Sequence, residues 1–463
     1  MKEKKEGSYG EGDAPSDSLD NAIAHDAVFG DITSEGPNYR SVGWLGTSVL
    51  MMKTQIGLGV LSIPSIFDTL GMVPGVVLLC VIGGITTWSD FMVGTFKLRH
   101  PEVYGIDDAG ELMFGWVGRE VLGAAFCLLF TFTSGSAMLS ISIALNALST
   151  HATCTAVFVA VAAVIGLGLS SLRTLGRISG LAWVGVTSIV VAVLTVTIAV
   201  SLQDRPAAAP QDAVWKSDFK VVNTPTFTQA IGAISSLVFS YAGTPAFFSI
   251  AAEMRDPRHY PRALVLCQSV VTVVYVAVGV VVYYYCGSYV SSPALGSAGP
   301  AVKKVAYGLA LPGLIVSAAV MLHLASKHIF VRVLRGSKHL AANTFVHWST
   351  WLGCTFTITL VAYLIASGIP VFNSLISLIG ALLGTMISFQ PMGCMWLYDN
   401  WGKGRQAPTL RWYLMVAWSC FVVASGTFLT IAGTYSAIVG IVDDYSRSGG
   451  SAAWSCADNS NSV

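Results

Sequence analysis

The chain reads as an all-α polytopic membrane protein with about eleven transmembrane helices, and three observations predict it. Of 463 residues 54% are hydrophobic and 11% charged, whereas a soluble domain carries about 25% charged residues. Apolar runs of roughly 20 residues, enough to cross about 30 Å of hydrocarbon, recur between Gly, Pro and charge clusters. The Lys and Arg residues collect in alternate loops. So few charges do not make a water-facing surface, and a net charge of +1 supplies no field for a polyanionic partner such as nucleic acid.

In chain order the expected spans are Trp44 to Phe67, Val73 to Phe96, Val121 to Leu148, Cys154 to Leu172, Ile178 to Leu202, Thr228 to Ala252, Ala263 to Cys286, Val305 to Leu334, Thr344 to Ala366, Val371 to Leu397 and Leu410 to Ile441. With a cytosolic N-terminus, fifteen Lys and Arg residues near the membrane fall on the inner side and six on the outer side. That bias puts the N-terminus inside and, with an odd number of spans, the C-terminus outside. Residues 1–40 are polar and acidic without an apolar signal-peptide core, and read as a disordered cytosolic tail. Residues 41–442 form the transmembrane domain, and 443–463 an extracytosolic tail. The segments Gln203 to Phe227 and Gly287 to Lys304 read as loops over the outer face. No Asn-x-Ser/Thr sequon gives an independent marker of topology. Nine scattered cysteines, without a C-x-x-C pair or metal-ligand spacing, read mostly as small apolar packing residues.

Two spans carry breaks. The first contains Lys53-Thr54-Gln55-Ile56-Gly57-Leu58-Gly59-Val60-Leu61-Ser62-Ile63-Pro64, and the sixth Phe239-Ser240-Tyr241-Ala242-Gly243-Thr244-Pro245. Gly costs a helix about 1 kcal/mol relative to Ala and interior Pro about 3. Backbone groups freed at membrane depth need partners in protein, water or ligand. Either break alone also fits a simple kink or close helix packing. Spans one and six, however, are corresponding positions of two five-span halves, repeat one at about 44–202 and repeat two at about 228–397, with an extra helix at 410–441. Matched breaks in such halves point to an inverted-repeat transporter with its substrate at the midplane. The site suits an amino acid zwitterion: amides at the start of a half-helix hold a carboxylate, with Gly57, Leu58 and Gly59 as candidates, and carbonyls ending a half-helix hold an ammonium, with Ser240, Ala242 and Gly243 as candidates. Tyr241 and Phe239 would flank the side-chain pocket.

At these residues, and at Glu253-Met254-Arg255-Asp256-Pro257 and Tyr260-Pro261-Arg262-Ala263-Leu264, the chain resembles the amino acid/auxin permease family of the amino acid-polyamine-organocation superfamily, in its fungal neutral amino acid permease branch. The resemblance covers about residues 40 to 440. It implies a fold like the bacterial leucine transporter, substrate between spans one and six with contributions from spans three and eight, and proton-coupled symport of neutral amino acids. The coupling ion and the substrate range are implied by the resemblance alone. Plasma membrane is the expected location, with the vacuolar membrane as the alternative, and no cofactor or metal is expected.

Charges inside the membrane are costly, at least about 2.5 kcal/mol each unless paired or hydrated. Lys53 reads as a gating or site-organising residue, or else as a lysine that snorkels to the headgroups or pairs with Glu253. In span eight, His323 and Lys327 are four apart on one helix face, with Ser326 and His328 beside them. The related folds place a sodium site where the inner half of span eight meets the first break, so Lys327 would replace the cation there and His323 would titrate; Lys327 equally begins the basic loop that holds Arg332. Asp90 is a buried proton carrier or is satisfied by nearby hydroxyls. Thr131, Thr133, Ser134 and Ser136 in span three face the substrate or bond back to their own helix.

No repeated filter sequence marks a channel, no nucleophile or metal motif an enzyme, and no loop holds a nucleotide-binding domain. An amino acid sensor on a transporter fold and a vacuolar exporter are the alternatives to uptake.

Overall fold

A computed structural model describes residues 24–26, 30–32, 42–172, 175–206, 209–210, 215–340, 343–369, 372–447, 454 and 456–460. Most of the expected disordered tail lies outside them. Within it, Ala24–Asp26 (β1) and Gly30–Ile32 (β2) pair as an antiparallel ribbon, the two strands in an otherwise helical set of described residues.

The helices are α1 (Trp44–Gln55), α2 (Ile63–Leu70), α3 (Met72–Arg99), α4 (Ile106–Ser149), α5 (Thr155–Ser170), α6 (Leu175–Leu202), α7 (Phe227–Ser240), α8 (Thr244–Ala252), α9 (Tyr260–Cys286), α10 (Pro300–Leu334), α11 (Phe345–Gly368), α12 (Phe372–Leu378), α13 (Thr385–Ser388), α14 (Gln390–Gln406) and α15 (Leu410–Arg447). Among the described residues nine segments are long and apolar enough to cross a membrane, counting α7 with α8 and α12 to α14 as single spans. The broken pair α1 and α2 and the short α5 occupy the positions of the other two expected spans. A π-helical stretch, Ile379–Gly384, joins α12 to α13. The third span, α4, begins earlier than expected because residues 106–114 form a helix of their own, separated from the span by Gly115 at φ 67°.

Side chains point outward by the rule of a lipid solvent, in which an apolar exterior costs nothing. Leu414, Phe421, Phe428 and Ile431 on the peripheral α15 are exposed, while Tyr241, Tyr260, Tyr275, Phe247 and Phe248 are fully buried in the bundle. The central helices α1, α2 and α8 pack against α3, α6 and α9, while α7 packs against α2, α12 and α15.

The reading of the cysteines as packing residues fails for one pair. Cys154, ahead of α5, is disulfide-bonded to Cys456 in the C-terminal tail, 302 residues away. Asn459 of the same tail bonds to Asn146 and Ser142 on α4, at 2.7 and 3.0 Å, and Thr155 donates to the Ala457 carbonyl at 2.7 Å. A tail folded over the α4–α5 end therefore lies on the same side of the molecule as Cys154.

Candidate functional site

The helix of span one stops at Gln55 because Ile56 leaves helical geometry (φ −74°, ψ 92°). The chain then passes through Gly57 and Leu58 into a 3-10 turn, Gly59–Leu61, before α2 begins with Pro64 in its first turn. Span six stops at Ser240 and restarts at Thr244, again with a proline, Pro245, in the first turn. Proline suits that position because its missing N–H belongs to an amide that has no helical acceptor anyway.

The two breaks touch. A Cβ on Gly59 would lie 2.7 Å from the Cα of Ser240, and one on Gly243 would lie 2.5 Å from the Thr54 hydroxyl oxygen. Only glycine permits this approach. The Ser240 hydroxyl lies 3.3 Å from the Gly59 carbonyl, though it sits closer, at 2.9 Å, to the Ser236 carbonyl of its own helix.

Among the described residues the amides of Gly57, Leu58 and Gly59 donate to no protein acceptor. They lie at the start of the 3-10 turn that leads into α2, an arrangement that presents donors to an anion. On the opposite side, the carbonyls of Gln55 and Ser240 both accept from the Tyr275 hydroxyl, each at 2.8 Å. That single hydroxyl from α9 joins the C-terminal ends of the two half-helices.

Lys53 is fully buried one turn before the first break. Its ammonium lies 3.4 Å from the Ile56 carbonyl, and its chain passes between Gly57 and Gly185 of α6. No carboxylate pairs with it among the described residues. Both readings that would have made it structural are therefore corrected. It does not snorkel, and the Glu253 carboxylate, at the end of α8, forms a buried ion pair with Lys327 instead. Lys327 in turn is not among the residues that line the cavity at the first break. The α10 residues that do are Ser317 and Met321.

His323 likewise points elsewhere, with Nδ1 3.5 Å from the Ser170 carbonyl and its ring edge-on to Trp351. The Ser326 hydroxyl is buried without a hydrogen-bond partner. His323 and Lys327 share a helix but serve different neighbours. Tyr241 turns away from the breaks, its hydroxyl 3.2 Å from that of Thr272 and its ring against Tyr275. Thr131, Thr133 and Ser134 each bond back to the carbonyl four residues earlier, at 2.6 to 2.7 Å, whereas the buried Ser136 hydroxyl makes no such bond among the described residues.

Between the breaks lies a cavity of about 20 Å³, lined by Lys53, Gln55, Leu58, Phe130, Thr133, Phe239, Ala242, Ser317 and Met321 among others. That volume holds about one water. Two far larger cavities lie elsewhere. One of about 650 Å³, reaching Asp68, Gln229, Ser236 and Asn373, sits over the ends of α2 and α7. Another of about 600 Å³, between Trp88, Arg99, Trp396 and Trp412, lies at the other end of the bundle. Below the central cavity the chain is shut: the Val42 amide donates to the Glu253 carbonyl at 3.2 Å and the Arg255 amide to the Val42 carbonyl at 2.9 Å. These bonds tie the start of α1 to the end of α8 beside the Glu253–Lys327 pair.

Sequence reasoning did not single out Gln55, Tyr275, Ser317 or Met321 for this site. Gln55 carried a signal, being a polar side chain within the glycine-rich stretch, and both polar atoms of its amide are buried without a partner. Tyr275 carried none, as one of several aromatic residues in an apolar run.

Comparison with known proteins bears on this arrangement. A family model described as transmembrane amino acid transporter protein matches residues 40–439. A transmembrane transporter of Gibberella moniliformis is 34% identical over 431 residues, covering 93% of this chain and 90% of the relative. The N amino acid transport system protein of Neurospora crassa is 32% identical over 426 residues, covering 90% and 89%. Among solved structures, a Na+-coupled sialic acid symporter in a substrate-bound outward-open state aligns with TM-score 0.55, covering 88% of this chain and 92% of that one. The nucleobase-cation-symport-1 family transporter MHP1, in a closed conformation, aligns with TM-score 0.57, covering 93% and 99%. Both are 13% identical, so the likeness is one of fold.

Proposed function

This chain belongs to the transmembrane amino acid transporter protein family, and from that premise we propose that it is a proton-coupled symporter of neutral amino acids, working by alternating access. It is an integral membrane protein and a transport protein rather than an enzyme. The observation that carries the finer reading is Lys53. Its ammonium lies 3.4 Å from the Ile56 carbonyl at the first break, a fixed positive charge beside the site, which favours a proton over sodium as the coupling ion. This role was expected of Lys327.

The substrate reading follows from the same geometry. The amides of Gly57, Leu58 and Gly59 receive the carboxylate, and the carbonyl ends at Gln55 and Ser240 lie where the ammonium goes. Among the described residues Lys53 is the one charged residue lining the central cavity, so a cationic side chain would meet repulsion and find no counter-charge among them. Phe130, Phe239 and Met321 favour an apolar one. The cavity is too small for any amino acid, so this state is closed and the breaks part to admit substrate.

Correspondence of α1 and α2 with α7 and α8 supports two inverted five-span repeats followed by α15. The Cys154–Cys456 disulfide supports an extracytosolic C-terminal tail, since such bonds persist in oxidising compartments. A plasma-membrane location fits that placement.

The test is uptake of labelled neutral amino acids into proteoliposomes under an imposed pH gradient, then under a sodium gradient. Accumulation with the pH gradient alone is expected. Accumulation that only sodium drives would remove the proton from this reading.

A further inference from the structure

Away from the breaks, one carboxyl group lies inside the bundle with no charge to balance it. Asp90, in the middle of α3, is fully buried. One carboxyl oxygen, Oδ2, accepts from the Gln268 side-chain amide at 2.5 Å, while Oδ1 has no hydrogen-bond partner. The Tyr260 hydroxyl donates to the Asp90 main-chain carbonyl at 2.8 Å. The groups near Asp90 are Gln268, Tyr260 and Cys267 on α9 and Thr244 on α8. None of them is basic, and no Lys, Arg or His pairs with Asp90 among the described residues.

An ionised carboxylate held by one neutral amide donor is too costly at this depth. A carboxylic acid fits, accepting from Gln268 at one oxygen and carrying its proton on the oxygen that lacks a donor. The neighbour on the other side of that group is instructive. Thr244 is the first residue of α8, and its hydroxyl approaches the carboxyl without completing a hydrogen bond. The far end of α8 carries Glu253 and the bonds that shut the molecule below the central cavity. A movement of α8 that opens this path withdraws Thr244 and lets water reach Asp90, where ionisation then becomes affordable. Asp90 Oδ1 passes its proton to that water, leaving the carboxylate and a hydronium ion. Proton release is thereby confined to the state open on the Glu253 side.

We propose that Asp90 is the binding site of the transported proton, with α8 as the gate that decides when it is released. The proposal rests on the proton-symport reading above and names its carrier. Lys53 then acts as the fixed cation at the breaks, and Asp90 as the group whose charge changes over the cycle.

The experiment compares two activities in proteoliposomes, accumulation driven by a pH gradient and exchange of labelled for unlabelled neutral amino acid at equal pH. Asp90→Asn, which keeps the position uncharged, is expected to lower accumulation at least about tenfold more than it lowers exchange. Gln268→Leu, which removes the donor to the carboxylate, is expected to move the pH of half-maximal accumulation upward by about one unit. An Asp90→Asn protein that still accumulates substrate in proportion to its exchange would overturn the proposal while leaving proton symport intact. If Asp90→Asn loses both activities, Gln268→Leu decides: a shifted pH profile upholds the assignment and an unshifted one overturns it. Failure of the parent protein to respond to any pH gradient would instead remove the reading beneath it.

Discussion

Lys53 and Lys327 are both lysines buried within the membrane region, and the molecule treats them in opposite ways. Lys327 meets a carboxylate, Glu253, across the interface between α10 and α8. Lys53 meets a main-chain carbonyl, at 3.4 Å, where the first span breaks. A paired buried charge joins two elements and resists their separation; removing one partner strands the other. A charge held only by carbonyl dipoles is compensated weakly and is free to interact with whatever enters beside it. The contrast separates a residue that closes the molecule from one that equips its site.

The largest effect expected from this contrast is on stability. Lys327→Met leaves the Glu253 carboxylate without that partner, and should lower the free energy of unfolding by about 3–5 kcal/mol, measured as a drop in the thermal transition of the detergent-solubilised protein. An unchanged transition would mean that the pair contributes nothing to closing α8 against α10. Lys53→Met removes a charge that no carboxylate among the described residues balances, so its thermal transition should hold or rise. Its accumulation under a pH gradient should nonetheless fall at least about tenfold. A variant that is destabilised like Lys327→Met, or that transports normally, would erase the distinction between the two lysines.

The same contrast shows what the sequence makes legible. Gly57, Gly59 and Pro64, and Gly243 and Pro245, announce both breaks because glycine and proline weaken a helix wherever it is placed, and their spacing across two halves aligns them. The fold class follows from such local chemistry and from hydropathy. The partners of the lysines do not. That His323 and Lys327 are four residues apart puts them on one helix face, but only the crossing of α10 with its neighbours decides that one reaches Ser170 and the other Glu253. Cys154 and Cys456 sit 302 residues apart, with nothing in either neighbourhood to mark them as a pair among nine. The hydroxyls of Thr131, Thr133 and Ser134 in span three illustrate the reverse case. Their bonds to their own helix need no tertiary contact, and local reasoning suffices to expect them.

Tyr275 gives the smallest and most selective test. Its hydroxyl lies 2.8 Å from the Gln55 carbonyl and 2.8 Å from the Ser240 carbonyl, and having one proton it can donate fully to only one of them at a time. The two half-helix ends therefore share a donor, leaving carbonyl capacity available to an incoming ammonium. Tyr275→Phe keeps the ring, which packs against Tyr241, and removes only this shared bond, a change of about 1 kcal/mol or roughly fivefold in affinity. If the hydroxyl merely holds the closed state together, the variant should bind substrate more tightly, because opening has become easier. If it helps to orient the two carbonyls for an ammonium, affinity should fall by that factor while Lys53 and Lys327 keep their surroundings. We expect the fall, read from the concentration dependence of exchange. An increase would make Tyr275 a latch like the Glu253–Lys327 pair and move it to the closing side of the comparison.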